Sequence, residues 1–200
     1  MKRETYEWCR TWMDHADATD LPRVLLIGDS ITFGYQEHVR RLLDGICYVD
    51  MVATSYFVDA PIYHTLVSAF YSDLPYAVVH FNHGLHGYHG DVAVYENGLD
   101  TLVAKLKESS KVILATSTSV LKQDSAEPHE GWTKRLDERN AAVARLAEKH
   151  GCAVDDLYEV SLKVPYELRA KDGFHYATEG YAEHFAPRVA EEIKRALEHR

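Results

Sequence analysis

Cysteine is scarce. Cys9, Cys47 and Cys152 are the only three in 200 residues, widely spaced and without a C-x-x-C pair. That argues against a disulfide framework and fits a reducing compartment. Long apolar runs are missing as well, and none reaches membrane-spanning length. The opening residues, from Met1 to Trp8, lack the apolar stretch of a secretory leader. These absences lead us to expect a cytoplasmic protein with no membrane partner. Basic charge is also in short supply: Lys and Arg number 22 against 31 Asp and Glu, a formal net charge of −9. A nucleic-acid partner needs a basic face, so the charge argues against one. Internal repeats, low-complexity tracts and linkers are absent too, so residues 1–200 read as one domain, with 1–22 as a helical N-terminal extension. A hydrophobic content of 46% is enough for a sizeable core at this length.

What is present is a regular alternation of apolar runs and amphipathic stretches. Residues 23–27, 46–52, 76–81, 111–115 and 152–154 read as strands. Residues 30–43, 61–70, 91–108, 132–150 and 176–198 carry helical spacing, with Asp44-Gly45 and Gly151 as stops. Residues 4–15 also show a helical apolar side through Tyr6, Trp8, Cys9 and Trp12. Residues 120–131 are polar, contain Pro128, and read as an exposed loop. Strands alternating with helices mean parallel strands joined by right-handed crossovers. The expected architecture is an α/β protein: a three-layer α/β/α sandwich around a five-stranded parallel sheet. Ligands bind at the carboxyl ends of such strands.

That rim selects the candidate residues. After the first strand, Gly28 allows a sharp turn, and Asp29 and Ser30 open a helix. A serine there is either a helix cap or a nucleophile beside free backbone N–H groups. The other rim loops hold Thr54, Ser55 and Tyr56; Asn82, His83 and His86; Ser117 and Ser119. A serine nucleophile needs a base, and the base needs an orienting carboxylate. His175 and Asp172, three residues apart in the loop before the last helix, supply both. Two rival readings stand beside this one. His80, His83, His86 and His89 recur every third residue and form a candidate metal site. The first strand-to-helix turn is also a candidate anion or nucleotide site of the flavodoxin type. The chain lacks both G-x-G-x-x-G and G-x-x-x-x-G-K-[ST], which weighs against a nucleotide. Loss of function on His175→Ala separates the serine reading from a simple binder.

Gly28-Asp29-Ser30-Ile31-Thr32 near the start, with Asp172-Gly173-Phe174-His175 ahead of the last helix, resembles the SGNH/GDSL hydrolase family. The run from Asp172 to Tyr181 resembles that family's closing block, and Asn140-Ala141-Ala142 with Val154-Asp155-Asp156-Leu157 resembles its fourth helix and fifth strand. The resemblance implies a flavodoxin-like fold and metal-free, cofactor-free hydrolysis of carboxylic esters through an acyl-enzyme. It makes Ser30 the nucleophile, His175 the base and Asp172 its orienter, with the Ser30 N–H as one oxyanion donor. Two family positions differ. The glycine donor after the second strand is missing, leaving the N–H of Ser55 or Tyr56. The asparagine of the third block falls in register with His86, with Asn82 as the other candidate. The expected substrate is a small-molecule ester with a small acyl group such as acetyl, on a carbohydrate or other hydrophilic alcohol. Trp132, Tyr88 and Tyr176 are candidate walls of its cleft.

Overall fold

Residues 24–27 offer no polar face, so this segment has to be covered from both sides. The computed structural model, which describes residues 3–198, places it in the middle of the sheet. Six strands make up that sheet among the described residues: β1 (Cys9–Trp12), β2 (Arg23–Gly28), β3 (Tyr48–Thr54), β4 (Tyr76–Asn82), β5 (Lys111–Ala115) and β6 (Ala153–Asp155). Their order is β1-β3-β2-β4-β5-β6. All neighbours are parallel except β1, which runs antiparallel to β3.

Successive residues of β2 face opposite ways, as the pleat requires. Val24 and Leu26 pack with Ile31, Tyr35 and Val39 of α1 (Ser30–Leu42) and with Val189 and Ile193 of α7 (Ala186–Glu198). Leu25 and Ile27 pack with Val67 of α2 (Pro61–Asp73), Leu99 and Val103 of α3 (Val92–Leu106), and Val143 of α4 (Glu130–His150). The result is the expected α/β/α sandwich. Each fully buried aliphatic of β2 contributes about 1.5–3 kcal/mol of transfer free energy. No helix among the described residues is long and apolar enough to cross a membrane, and Cys9, Cys47 and Cys152 are free thiols.

Two expectations change. The helix expected over residues 4–15 is replaced by the edge strand β1, so the sheet has six strands rather than five. Local spacing favoured a helix, but the β3 edge offers a row of unpaired backbone groups, and pairing there wins. Residues 120–129 form the largely exposed loop expected, and it is tethered to the segment 171–173. Leu121 bridges Pro128, the Leu121 N–H donates to Gly173 O at 2.9 Å, and the Asp124 N–H donates to Lys171 O at 2.7 Å. After β6 comes a short helix, α5 (Leu157–Lys163). The last helical stretch is also broken, into α6 (Thr178–Gly180), a π turn (Tyr181–Phe185) and α7.

Candidate active site

The site begins at the end of β2. A Cβ on Gly28 would sit 2.3 Å from Asn82 O and 1.9 Å from Thr32 Oγ1, so only glycine lets β2 pass β4 this closely. Asp29 then caps α1, its Oδ1 accepting from the Ile31 N–H at 3.0 Å. Its other oxygen lies 3.4 Å from the Gly84 N–H and 3.3 Å from the Leu85 N–H, tying the helix start to the loop after β4. Ser30 is the first residue of α1, where the helix cannot satisfy its own N–H groups and the macrodipole is positive.

From the far end of the chain comes the loop 171–176. Gly173 has φ +80°, and a Cβ there would strike Leu121 O at 2.1 Å. Its turn lets Asp172 Oδ1 accept from the N–H groups of Phe174 (2.8 Å) and His175 (3.0 Å), while Oδ2 meets His175 Nδ1 at 2.7 Å. Partial burial pushes the Asp172 carboxyl up, but the His175 N–H and ring and the Phe174 N–H outweigh it and hold the group below its ordinary value. His175 Nε2 lies 2.8 Å from Ser30 Oγ, across 145 residues of sequence. Ser30, His175 and Asp172 thus form one hydrogen-bonded row.

The other sequence candidates fare differently. The Ser55 N–H donates to Trp8 O at 3.1 Å, and Ser55 Oγ accepts from the Trp8 N–H at 2.8 Å. The Tyr56 N–H donates to Thr54 Oγ1 at 3.2 Å. Both backbone donors are therefore engaged by the protein itself. Asn82 is buried as the last residue of β4, and its Nδ2 donates to Thr116 O at 2.9 Å, toward β5. His86 lines the same cleft as Ser30 and His175. Its Nδ1 is 3.0 and 3.2 Å from the two oxygens of Glu4, and its Nε2 is buried without a partner. Ser117 is held by Asn140, whose Oδ1 accepts the Ser117 N–H at 2.8 Å, and Ser119 receives a hydrogen bond from Arg169.

The four histidines of the His-rich stretch do not converge. His80 is sealed inside the fold against Asp155 at 3.0 Å. His83 is buried beside Tyr63, His86 faces the cleft, and His89 is exposed next to Tyr88. Among the described residues no three His, Cys, Asp or Glu side chains are grouped to hold a metal. Burial pushes the His83 imidazole down to about 4, so it is neutral at pH 7.

Two residues that sequence reasoning passed over belong to the site. Arg139 of α4 is fully buried and forks onto three carbonyls of the loop after β4: Gly84 O at 2.7 Å, His86 O at 2.8 Å and Gly87 O at 2.5 Å. It also lies 5.2 Å from the ring centroids of both Phe57 and Tyr95. Its sequence signal was a base on the buried stripe of a helix, between Leu136 and Val143. Glu4, in the segment before β1, had no local signal at all.

The cleft holds about 250 Å³ and is lined by Glu4, Leu85, Trp132 and Phe174 as well as Ser30, His86 and His175. Trp132 meets Phe174 edge-on at 5.4 Å and Tyr88 at 4.7 Å. Tyr176 packs inward, on Phe185, and is not part of this wall. A polar hollow of about 360 Å³, lined by Arg3, Glu4, Thr5, Gly87, Tyr88 and His89, shares Glu4 with the cleft.

No protein-family model matches the chain, and no curated protein matches it in sequence. Solved structures do match. An acetylxylan esterase from Geobacillus stearothermophilus has 18% identity and a TM-score of 0.66, covering 90% of this chain and 95% of that one. An α/β hydrolase enzyme from the metagenome of Lake Arreo, Spain, has 18% identity and a TM-score of 0.67, covering 88% and 95%. The lipase/acylhydrolase from Enterococcus faecalis has 21% identity and a TM-score of 0.65, covering 87% and 96%. The fold implied by the sequence resemblance is the fold these structures share with this chain.

Proposed function

We propose that this protein is a metal-independent serine esterase that removes a small acyl group, acetyl first among them, from a hydrophilic alcohol. The observation that carries the proposal is the row Asp172 Oδ2, His175 Nδ1 (2.7 Å), His175 Nε2, Ser30 Oγ (2.8 Å). In this reading Ser30 Oγ attacks the ester carbonyl as His175 Nε2 takes its proton. Asp172 keeps the remaining ring proton on Nδ1 and balances the imidazolium. The Ser30 N–H, at the positive end of α1, faces the oxyanion as it forms. His175 returns its proton to the leaving alcohol. Water then repeats the sequence on the acyl-enzyme and frees the acid.

Volume and polarity support this substrate class. A cleft of about 250 Å³ walled by Leu85, Trp132 and Phe174 lies below the roughly 300–1,000 Å³ of sites for drug-sized ligands and suits a short acyl chain. The polar hollow next to it suits an alcohol rich in hydroxyls, such as a sugar. The esterase named above for acetylxylan shares the fold, which agrees with this choice. Cytoplasmic residence completes the reading and rests on the three unpaired thiols.

The test is labelling with a fluorophosphonate, followed by mass spectrometry of the modified residue. The expected site is Ser30, with no labelling of Ser30→Ala. Ser30→Ala should remain folded and lose about 10⁴-fold or more of kcat. Among p-nitrophenyl esters, acetate should be favoured over octanoate. Wild-type turnover by Ser30→Ala removes the proposal.

A further inference from the structure

Ester hydrolysis through Ser30 needs a second oxyanion donor, and the backbone candidates are spent. The Ser55 and Tyr56 N–H groups are engaged by Trp8 O and Thr54 Oγ1, and the Asn82 amide is turned to Thr116. Among the described residues lining the cleft, His86 has a buried ring nitrogen, Nε2, without a partner. Its chemistry is set by what holds its other nitrogen. An ionised carboxylate only accepts, so Glu4 at 3.0 Å requires a proton on His86 Nδ1. A neutral ring with that proton on Nδ1 carries a lone pair on Nε2, which would repel an oxyanion. A ring protonated on both nitrogens donates from Nε2 while staying bound to Glu4.

We propose that His86 acts as an imidazolium, donating from Nε2 to the substrate oxyanion opposite the Ser30 N–H, and that Glu4 is the positioning residue that keeps it charged and aimed. The proposal rests on the esterase reading above. Every charged or titratable group around the ring bears on it. Glu4 comes from the N-terminal segment, Asp29 from the start of α1, Arg139 from α4, His83 from the same loop, and His175 across the cleft. Burial lowers the His86 value, but the Glu4 hydrogen bond and the Asp29 and Glu4 charges overcome burial and Arg139, so the value ends raised. On the Glu4 side, burial raises its carboxyl, but His86 and the Gly87 N–H more than reverse this and leave it lowered. Both partners thus favour the charged pair.

The geometry around the pair fixes the position of the ring. Glu4 Oε1 also accepts the Gly87 N–H at 2.9 Å. Arg139 pins the carbonyls on either side of the ring's backbone. The Trp8 and His86 rings meet in a T-shaped arrangement with centroids 6.0 Å apart. A charged donor held in a dry site stabilises a developing oxyanion more strongly than a neutral amide does.

The experiment has two arms. In ¹⁵N NMR of the inert Ser30→Ala protein, both ring nitrogens of His86 should read as protonated at pH 7, and Glu4→Gln should shift His86 toward the neutral form. In the active protein, kcat/KM should fall on the alkaline side as His86 loses its proton. Glu4→Gln should move that alkaline limb to lower pH and reduce kcat more than it changes KM, and Glu4→Asp should restore part of both. His86→Ala should lose about 10²–10³-fold in kcat. His86→Asn, which offers a neutral donor, should keep more activity, lose the alkaline limb and become indifferent to Glu4→Gln. A labelled Ser30 with an alkaline limb that none of these variants moves, or a neutral His86 ring at pH 7, overturns this inference and leaves the esterase reading intact. An unlabelled Ser30 with no hydrolysis overturns the esterase reading and this inference with it.

Discussion

His83 shows how a single side chain can set a pH dependence without touching the chemistry. Its ring is buried and both ring nitrogens lack partners among the described residues, so the charged form is excluded from the fold. Its value falls from the ordinary 6.5 to about 4. Between those two values the unfolded chain binds the extra proton and the folded chain does not. Stability from this group is therefore complete above about 6.5 and is lost as the pH falls toward about 4. His83→Leu should make the decline of Tm with pH across that window shallower, as measured by thermal melts from pH 7 to 4.5. Asp172 acts in the same direction, since its carboxyl is held below its ordinary value. The four-histidine spacing that suggested a metal site is thus one local periodicity split among different surroundings, with only His83 and His86 close to each other, at 6.2 Å between ring centroids. His80 meets Asp155, His83 is neutral and buried, His86 meets Glu4, and His89 is exposed.

The loop after β4 depends on Arg139. The loop runs over a buried surface, so its carbonyls need donors. One guanidinium supplies three, in a forked geometry that lysine cannot reproduce. Arg139→Met should leave the carbonyls of Gly84, His86 and Gly87 without that donor. The expected cost is about 3 kcal/mol or more in urea denaturation. Arg139→Lys should recover only part of it. Burial also draws the Arg139 value down to about 10, so the cation still persists at neutral pH. Part of this element was legible. Apolar spacing located the helix over residues 132–150, whose buried face carries Leu136, Val143 and Leu146. The use of Arg139 was not, because a buried base is recognised by the carbonyls around it, and those come from 52–55 residues away.

Over the whole molecule, the N-terminal segment does two jobs. It closes one edge of the sheet as β1, and it brings Glu4 to the cleft. Deleting residues 1–12 should expose the β3 edge and lower kcat at least as far as Glu4→Gln does. Light scattering should show self-association of the truncated chain, the usual consequence of an uncovered edge strand. Full activity in a monodisperse truncated protein would contradict both.

The sequence alone was enough for the alternation of strands and helices, and hence for a parallel sheet with helices on both faces. It also singled out Ser30, Asp172 and His175. Each of these signals is short-range: an apolar period, a glycine at a turn, a carboxylate three residues from a histidine. Tertiary structure decided the rest. It joined Ser30 to His175 across 145 residues, made residues 9–12 a strand, spent the Ser55 and Tyr56 N–H groups on Trp8 and Thr54, and set Glu4 against His86. The physical reason is the same in each case. Which partner satisfies a backbone edge, a buried base or an imidazole depends on what the fold brings within about 3 Å, and no local pattern records that.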